Sequence, residues 1–450
     1  MKKKKLHPLI IGTAVLTLTG FITRIIGFFY RIYLSRMFGE EGMGIYQLVN
    51  PVLALSFSLT AAGYQTAISK FVAERTARER QPSFRPVFVG LTISLPLSLL
   101  CCAIIYSLSD LIAIHMLMEE RTASMLRILA FSVPLSAVHS CINGYFYGRK
   151  KTSVPAIAQL IEQITRVVCV YLLSVRALSL GGSLSINAAV FGLVLGEFVS
   201  MLITVAALYC SMIAAAHSKT ASTAMPSIHR ESTFLIYQSI LGMALPLTAN
   251  RIVLNLLQSV ESVSIPASLK TYGYDTTTAL SVYGVLTGMA MPFIFFPNAI
   301  TGSVSVLLLP LISENYAVGN IKAVKDAAFR TIKYCFLLGF LFMGIFALLG
   351  DWAGRTIFNS PLAGHFIQGL SFLCPFLYLD TTLSSILQGL GMAGRIFFMN
   401  VISLLVRLAF VFLAVPTFGI TGYLWGILCS QILLSILYLI CLYRFVHRTR

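Results

Sequence analysis

The sequence predicts an all-α polytopic membrane protein of about twelve transmembrane helices, built as two six-helix lobes repeated in parallel around a central cavity. Three observations predict it. Of the 450 residues, 57% are hydrophobic and only 11% charged, where a soluble domain carries about 25% charged. A soluble chain of this make-up could not cover its surface with polar groups, so a soluble enzyme is excluded. Apolar stretches of bilayer-spanning length recur twelve times. Segments of the second half repeat segments of the first at a near-constant offset. The formal net charge of +17 comes with too few charges for a phosphate-binding face, so no nucleic-acid partner is expected.

The spans run approximately over 9–34, 43–69, 87–113, 123–147, 154–175, 186–213, 234–258, 278–304, 331–350, 364–388, 396–415 and 420–443. Lys2 to Lys5 followed by the apolar run from Leu9 imitate a signal peptide. That run continues to Leu34 with no A-x-A pattern after it, so it is expected to be an uncleaved first helix with a cytoplasmic N-terminus. Pro51, Pro134, Pro246, Pro292 and Pro375 fall within spans, where neighbouring helices or a cavity must satisfy the freed backbone. With the N-terminus inside, inner loops and ends carry 22 Lys and Arg, outer loops 5, and spans 6. That asymmetry obeys the positive-inside rule and places both termini in the cytoplasm.

Sliding spans four and five by 241 positions superposes Pro134 on Pro375, Gly148 on Gly389 and Arg166 on Arg407. Sliding span six by 234 superposes Ile186 on Ile420, Gly192 on Gly426, Glu197 on Gln431 and Tyr209 on Tyr443. Both halves begin on the cytoplasmic side, so the repeat is parallel, an arrangement of transporters that handle substrate near the midplane. The expected organisation is an N-terminal lobe over 1–213, a Ser/Thr/Ala-rich cytoplasmic linker over 214–233, and a C-terminal lobe over 234–450.

Charges inside spans are costly, about 2.5–3.5 kcal/mol each on insertion scales, and mark candidate sites. Arg24 and Arg31 lie seven residues apart on one face of the first span. Either they face an anionic ligand or cavity, or Arg31 snorkels to the interface. Span five carries Glu162 and Arg166 at i, i+4, a structural pair or part of a substrate site. The repeat-equivalent Arg407 has no acid beside it in span eleven, which makes it a candidate cavity cation. Span seven aligns Arg251, Asn255 and Gln258 on one face beyond Pro246. Several arginines with almost no carboxylates would attract an anion, phosphate in particular. The acids assigned to spans are Glu162, Glu197 and Asp380. Asp380, followed by two threonines, is either a proton- or sodium-coupling residue or an interhelical polar tie.

Nine Cys lie singly or paired in apolar runs with no CxxC, and seven His show no HxxxH, so neither disulfide framework nor metal site is expected. No GxxxxGK[ST] run occurs, and no cofactor is expected. Uphill movement would draw on an ion gradient, the membrane potential or downstream consumption.

Several stretches resemble a known family. They are Thr23-Arg-Ile-Ile-Gly-Phe-Phe-Tyr-Arg-Ile-Tyr-Leu34, Gly39-Glu-Glu-Gly-Met-Gly-Ile-Tyr-Gln-Leu48, Ala62-Gly-Tyr-Gln-Thr-Ala-Ile-Ser-Lys70 and Asn143-Gly-Tyr-Phe-Tyr-Gly148 with Gln159 to Arg166. The second half adds Phe296-Pro-Asn-Ala-Ile-Thr301 and Leu309-Pro-Leu-Ile-Ser-Glu314. Together they look like the stage V sporulation protein B-like, polysaccharide-export family of the multidrug/oligosaccharidyl-lipid/polysaccharide (MOP) exporter superfamily. The resemblance implies a MATE-like fold working by alternating access in a bacterial cytoplasmic membrane. Relatives include lipid II flippases, in which first-helix arginines engage the substrate pyrophosphate; Arg24 and Arg31 occupy the matching places. It also implies a lipid-linked saccharide and membrane lipids as partners, with cell-wall synthesis enzymes as further ones. Lipid II flippases carry two more C-terminal helices than the twelve spans here, so the lipid tail is expected to be held otherwise, or the substrate to differ. A cation-coupled multidrug exporter is the alternative, and it would want a carboxylate in spans one and two, where none occurs. A membrane scaffold for cell-wall synthesis, indifferent to loss of Arg24 or Arg251, is a third. A glycan-transferring enzyme is a fourth, lacking an acidic pair or long outer loop.

Overall fold

The structure, a computed structural model, describes residues 8–79, 83–182, 184–220 and 233–448, and every regular element among them is helical. In the first half these are α1 (Pro8–Leu48), α2 (Asn50–Phe57), α3 (Gly63–Glu79), α4 (Arg85–Ser107), α5 (Ser109–Leu111), α6 (Thr122–Ala130), α7 (Ser132–Gly148), α8 (Ser153–Ser179) and α9 (Ile186–Thr220). In the second they are α10 (Thr233–Tyr272), α11 (Thr276–Gly284), α12 (Met291–Phe295), α13 (Asn298–Ala317), α14 (Ile321–Ile357) and α15 (Pro361–Leu370). Four more complete it: α16 (Cys374–Gly389), α17 (Ala393–Leu413), α18 (Val415–Phe418) and α19 (Ile420–Arg448). Helix is the default because a lipid-facing backbone must satisfy its polar groups within the segment. Each half interrupts its second span with a π turn, Ser58–Ala62 in one and Val285–Ala290 in the other. Such turns leave backbone groups that neighbours must satisfy.

Among the described residues, eleven helical segments are long and apolar enough to cross a membrane. One of them, Val15–Thr76, has 62 residues, a path of about 93 Å against a hydrocarbon core of about 30 Å. It holds two crossings, because Gly39 (φ 69°, ψ −170°) breaks α1 in a conformation that a Cβ would strain. Twelve crossings result, in the order the hydropathy predicts. Several ends carry side-chain caps: Asn320 accepts from Ala323 N–H at 3.1 Å, and Ser360 from Ala363 N–H at 3.0 Å ahead of Pro361. Asp275 caps α11 by accepting from Thr278, and those hydrogen bonds hold its carboxyl below the usual aspartate value.

Burial separates lipid-facing from interior spans. In Ser153–Ser179 and Ile321–Ile357 only 17% of the most apolar window is buried, whereas Thr122–Gly148 reaches 61% and Pro361–Gly389 78%. Spans four and ten, equivalent in the repeat, are therefore both interior, and the polar residues they carry are kept from lipid.

The chain forms two compact units, one of Met1–Thr23 with Val49–Leu256, the other of Arg24–Leu48 with Leu257–Arg450. These cut across the division at 213 and 234. In the first unit Ile236, Ile240 and Ala244 of α10 join the core of Tyr64, Ile68, Val87, Cys141 and Phe146. Gly63 lies so close to Thr248 that a Cβ there would collide with its hydroxyl. In the second unit the latter part of α1 is fastened three ways. Phe28 packs against Phe296 with tilted rings 4.5 Å apart, Arg36 donates to the Ile357 and Thr356 carbonyls at 2.8 and 2.7 Å, and Gly44 lies against the Leu280 carbonyl. The arginine there occupies the C-terminal end of α14, where cations are favoured. A separate core of Leu308, Ile312, Leu379, Leu383, Ile386 and Tyr438 fills the rest of that unit. Of the predicted linker, 214–220 continues α9 and Thr233 begins α10; 221–232, like Lys2 to Lys5, lies outside the described residues.

Candidate anion site

A cavity of about 370 Å³ opens in the second unit beside the latter part of α1, within the size range of small-ligand sites. Arg24 and Arg31 both line it, with Phe28, Phe296, Asn298 and Thr381 among their neighbours. The one-face placement of the two arginines is thus realised, and no Asp or Glu belongs to the lining. Arg24 makes no hydrogen bond or ion pair with any described residue. Its guanidinium reaches this position because Gly302 has no side chain; a Cβ there would stand 3.0 Å from Arg24 Nη1.

Asn298, at the start of α13, accepts through Oδ1 from the hydroxyls of Thr301 at 2.5 Å and Thr381 at 3.0 Å. With its oxygen occupied, the Asn298 Nδ2 is the remaining donor, and it bonds no described residue. Phe28 and Phe296 form an aromatic wall of the cavity, and Phe293, outside the lining, packs on Phe28 behind it; the Phe296 and Phe293 ring centroids lie 4.5 and 5.7 Å from that of Phe28. The site therefore combines the charge of Arg24, unpaired among the described residues, the further charge of Arg31, a neutral amide donor and an apolar wall. Guanidinium groups stay charged at all relevant pH and offer forked donors that match phosphate oxygens.

The other predicted residues lie outside this lining. Arg251 is exposed on α10 in the first unit, bonding no described residue. Asn255, one turn on, donates to the Ala54 carbonyl at 3.3 Å and to the Ser58 hydroxyl, which ties α10 to the π turn. Glu162 and Arg166 are bonded to each other at 3.0 Å. Asp380 is buried at 5% exposure and accepts from Gln431 at 2.5 Å and Ser435 at 2.6 Å, both on α19.

Arg407 requires a correction: it does have an acid to pair with. Arg407 Nη2 donates to Glu261 Oε2 at 2.7 Å, and Tyr423 OH donates to Glu261 Oε1 at 2.7 Å. Glu261 lies in α10, which runs to Tyr272, past the limit of 258 that hydropathy set for the seventh span. With that acid overlooked, Arg407 looked solitary. Sequence reasoning also passed over His139, which Nε2 joins to Glu197 at 2.7 Å, although its place in an apolar run was a signal. Asn298 and Thr381 were in view only within a motif and as a neighbour of Asp380.

Comparison with known proteins gives these sites a context. The chain matches the polysaccharide biosynthesis protein family over residues 9–316 and the MatE family over 251–413. It is 31% identical to stage V sporulation protein B of Bacillus subtilis (strain 168), over 95% of this chain and 82% of that protein. It is 23% identical to the lipid II flippase MurJ of the same organism, over 84% of this chain and 72% of that protein. Among solved structures it superposes on an inward-facing multidrug resistance MATE family transporter of the MOP superfamily with a TM-score of 0.73 at 16% identity, covering 95% of each chain. It superposes on the lipid II flippase MurJ in an inward closed conformation with a TM-score of 0.71 at 15% identity, covering 96% of this chain and 87% of that one. The chain is a multi-pass membrane protein with the MOP-superfamily fold, and it belongs to the polysaccharide biosynthesis protein family.

Proposed function

We propose that the protein is a flippase or exporter that moves an anionic, lipid-linked saccharide across a bacterial cytoplasmic membrane by alternating access. The carrying observation is the Arg24–Arg31 cavity with no carboxylate in its lining. Arg24 and Arg31 hold the phosphate groups, the Asn298 amide donates a further hydrogen bond, and the apolar wall accepts the saccharide's carbon faces or the start of the lipid tail. The relatives support the class: one is named a lipid II flippase, another a stage V sporulation protein. Arg251, exposed on α10, is a further anion-binding residue within the first unit, with Asn255 keeping its helix in place. Both termini lie in the cytoplasm, a reading supported by the 22 inner against 5 outer Lys and Arg. Membrane lipids surround the spans, and enzymes of cell-wall synthesis are the partners that would supply or consume the cargo.

Asp380 ties α16 to α19 in this reading, since both its oxygens already accept from neutral donors. A cation-coupled multidrug exporter would need an acid where a cationic drug binds, and the cavity offers guanidinium instead. The test is reconstitution into vesicles with a labelled polyprenyl-pyrophosphate saccharide in one arm and a cationic dye in the other. Movement of the lipid, lost in Arg24→Ala, is expected. Dye transport without binding or movement of any such lipid would overturn the proposal, and full lipid-dependent function in Arg24→Ala would point to a scaffold.

A further inference from the structure

The first unit holds a buried charged cluster that the anion cavity does not use. His139 on α7 donates through Nε2 to Glu197 on α9 at 2.7 Å, with 12% and 16% of the two side chains exposed. Glu162 on α8 carries Arg166 at 3.0 Å. The nearest imidazole and carboxylate atoms of His139, Glu162 and Glu197 all lie within 4.8 Å of one another. One helical turn beyond His139, Asn143 donates from Nδ2 to His139 Nδ1 at 3.3 Å. Its side-chain oxygen, in a residue 9% exposed, is buried with no partner among the described residues.

Charge counting decides what such a site takes. Two carboxylates, one guanidinium and a neutral imidazole leave one negative charge in a low-dielectric interior, where the neutral total is favoured. A single proton on His139 balances it, whereas a divalent cation would leave a net positive charge beside Arg166. A hard monovalent cation prefers a shell of several oxygens, but here an imidazole nitrogen already fills the hydrogen-bond distance to Glu197. The orphaned Asn143 oxygen supplies the other half of the case. In the geometry observed, Nδ1 is an acceptor and the imidazole neutral. Turning the Asn143 amide over brings Oδ1 to face Nδ1, where it accepts from the N–H of an imidazolium. The orphaned acceptor gains its donor once Nδ1 carries a proton, and with Nε2 donating to Glu197 that makes the imidazole an imidazolium.

Other elements packed on α7 do not supply this charge. From α3 come Lys70, Glu74 and Arg75, the first two paired at 4.0 Å and largely exposed; α4 brings Arg85. From α6 comes Arg127, paired with Asp110 at 2.6 Å. The charged groups acting on His139 are Glu197 and Glu162.

We propose that His139, Glu197 and Glu162 form a proton-binding site in the first unit, and that its occupancy sets how tightly α9 is held to α7 and α8. Uptake moves one proton from hydronium to Nδ1, releasing water; the Asn143 Nδ2 hydrogen bond to Nδ1 is lost and one from Nδ1–H to Oδ1 replaces it. Without it the two glutamates repel across helices that have little slack, because α9 approaches α8 so closely at Gly196 that a Cβ would stand 3.0 Å from the Glu162 carbonyl. That this proton drives transport rests on the exporter reading; that it binds does not.

The experiment is nitrogen-15 NMR of histidine-labelled protein in lipid nanodiscs from about pH 9 to about pH 5, with His139→Gln identifying the resonances. Expected is a change at His139 from one protonated nitrogen to two, with proton affinity reduced about tenfold or more in Glu197→Gln and reduced in Asn143→Leu. An imidazole that stays singly protonated throughout overturns the proposal. So does a resonance that moves with sodium or zinc at constant pH. In vesicles, His139→Gln should keep binding at the Arg24 cavity but lose the pH dependence of lipid movement. If the wild type moves no lipid, the exporter reading fails while the NMR titration still decides the site.

Discussion

Removing Arg407 should damage the fold, and removing Glu261 along with it should repair the damage. Glu261 is 4% exposed, and its charge is answered by the Arg407 guanidinium and by the Tyr423 hydroxyl, each at 2.7 Å. Arg407→Met leaves the carboxylate buried with one neutral donor, and breaking a buried pair from one side costs about 3–5 kcal/mol. At about 2–4 °C per kcal/mol for a unit of this size, the unfolding midpoint should fall by about 6–20 °C. Trp352 and Trp425, the chain's two tryptophans, both belong to the second unit and report its unfolding by intrinsic fluorescence. Replacing both partners, as Glu261→Leu with Arg407→Met, removes the stranded charge and should return stability to that of wild type or raise it by about 1–4 kcal/mol. Pyrophosphate binding and lipid movement should return with it. A double variant as stable as wild type that neither binds pyrophosphate nor moves lipid would refute this reasoning and restore Arg407 to the substrate's path.

Arg24→Ala should weaken pyrophosphate binding about 10–150-fold by calorimetry, the equivalent of one charge-assisted hydrogen bond of about 1.5–3 kcal/mol, while the unfolding midpoint stays put; an unchanged affinity would remove Arg24 from the site. Gly302→Val should reproduce most of that loss without touching a charge, because the branched side chain occupies the guanidinium's place; equal binding by the valine variant would show that the guanidinium sits elsewhere. Asp380→Asn keeps an acceptor for one of its two donors and should cost about 1 kcal/mol of stability with lipid movement retained. Abolished movement in a stably folded Asp380→Asn protein would instead make Asp380 the coupling residue.

What was legible in the sequence follows from what the bilayer imposes. Span count and order could be read because each helix must carry its own run of apolar residues. Arg24 and Arg31 could be placed on one face because seven residues is close to two turns. The partner of Arg407 could not, because it depends on a contact between residues 146 positions apart and on an acid just beyond the apolar run. Helix α10 continues through Glu261 to Tyr272 because a paired, capped acid no longer ends a span, and hydropathy prices Glu261 as though it were alone. Membership of the compact units was hidden for a related reason. Close approaches such as Gly63 to Thr248 are set by the shape of two surfaces, and neither surface announces its mate in a window of twenty residues.

The two halves keep one frame and spend their polar positions differently. The offset of 241 that carries Pro134 to Pro375 also carries His139 to Asp380, and the offset of 234 carries Glu197 to Gln431. In the first unit the pair at this place is His139 with Glu197; in the second it is Asp380 with Gln431. The same interhelical contact, between an interior span and the last span of its half, is thus retained with a different hydrogen-bond chemistry. Asp380 accepts from Ser435 through its second oxygen, so each of its oxygens has a neutral donor. At His139 the second nitrogen faces an amide whose oxygen is still unpaired, so that site has a proton to gain. The arginines diverge in parallel. Arg166 is answered from its own helix by Glu162, and Arg407 from α10 by Glu261, which frees the second half from needing an acid in span eleven. A duplicated scaffold that held identical clusters would give both units the same response to a proton. The two clusters therefore differ in the group that can take up a proton: the first offers an imidazole nitrogen beside an unpaired amide oxygen, the second a carboxylate held by two neutral donors.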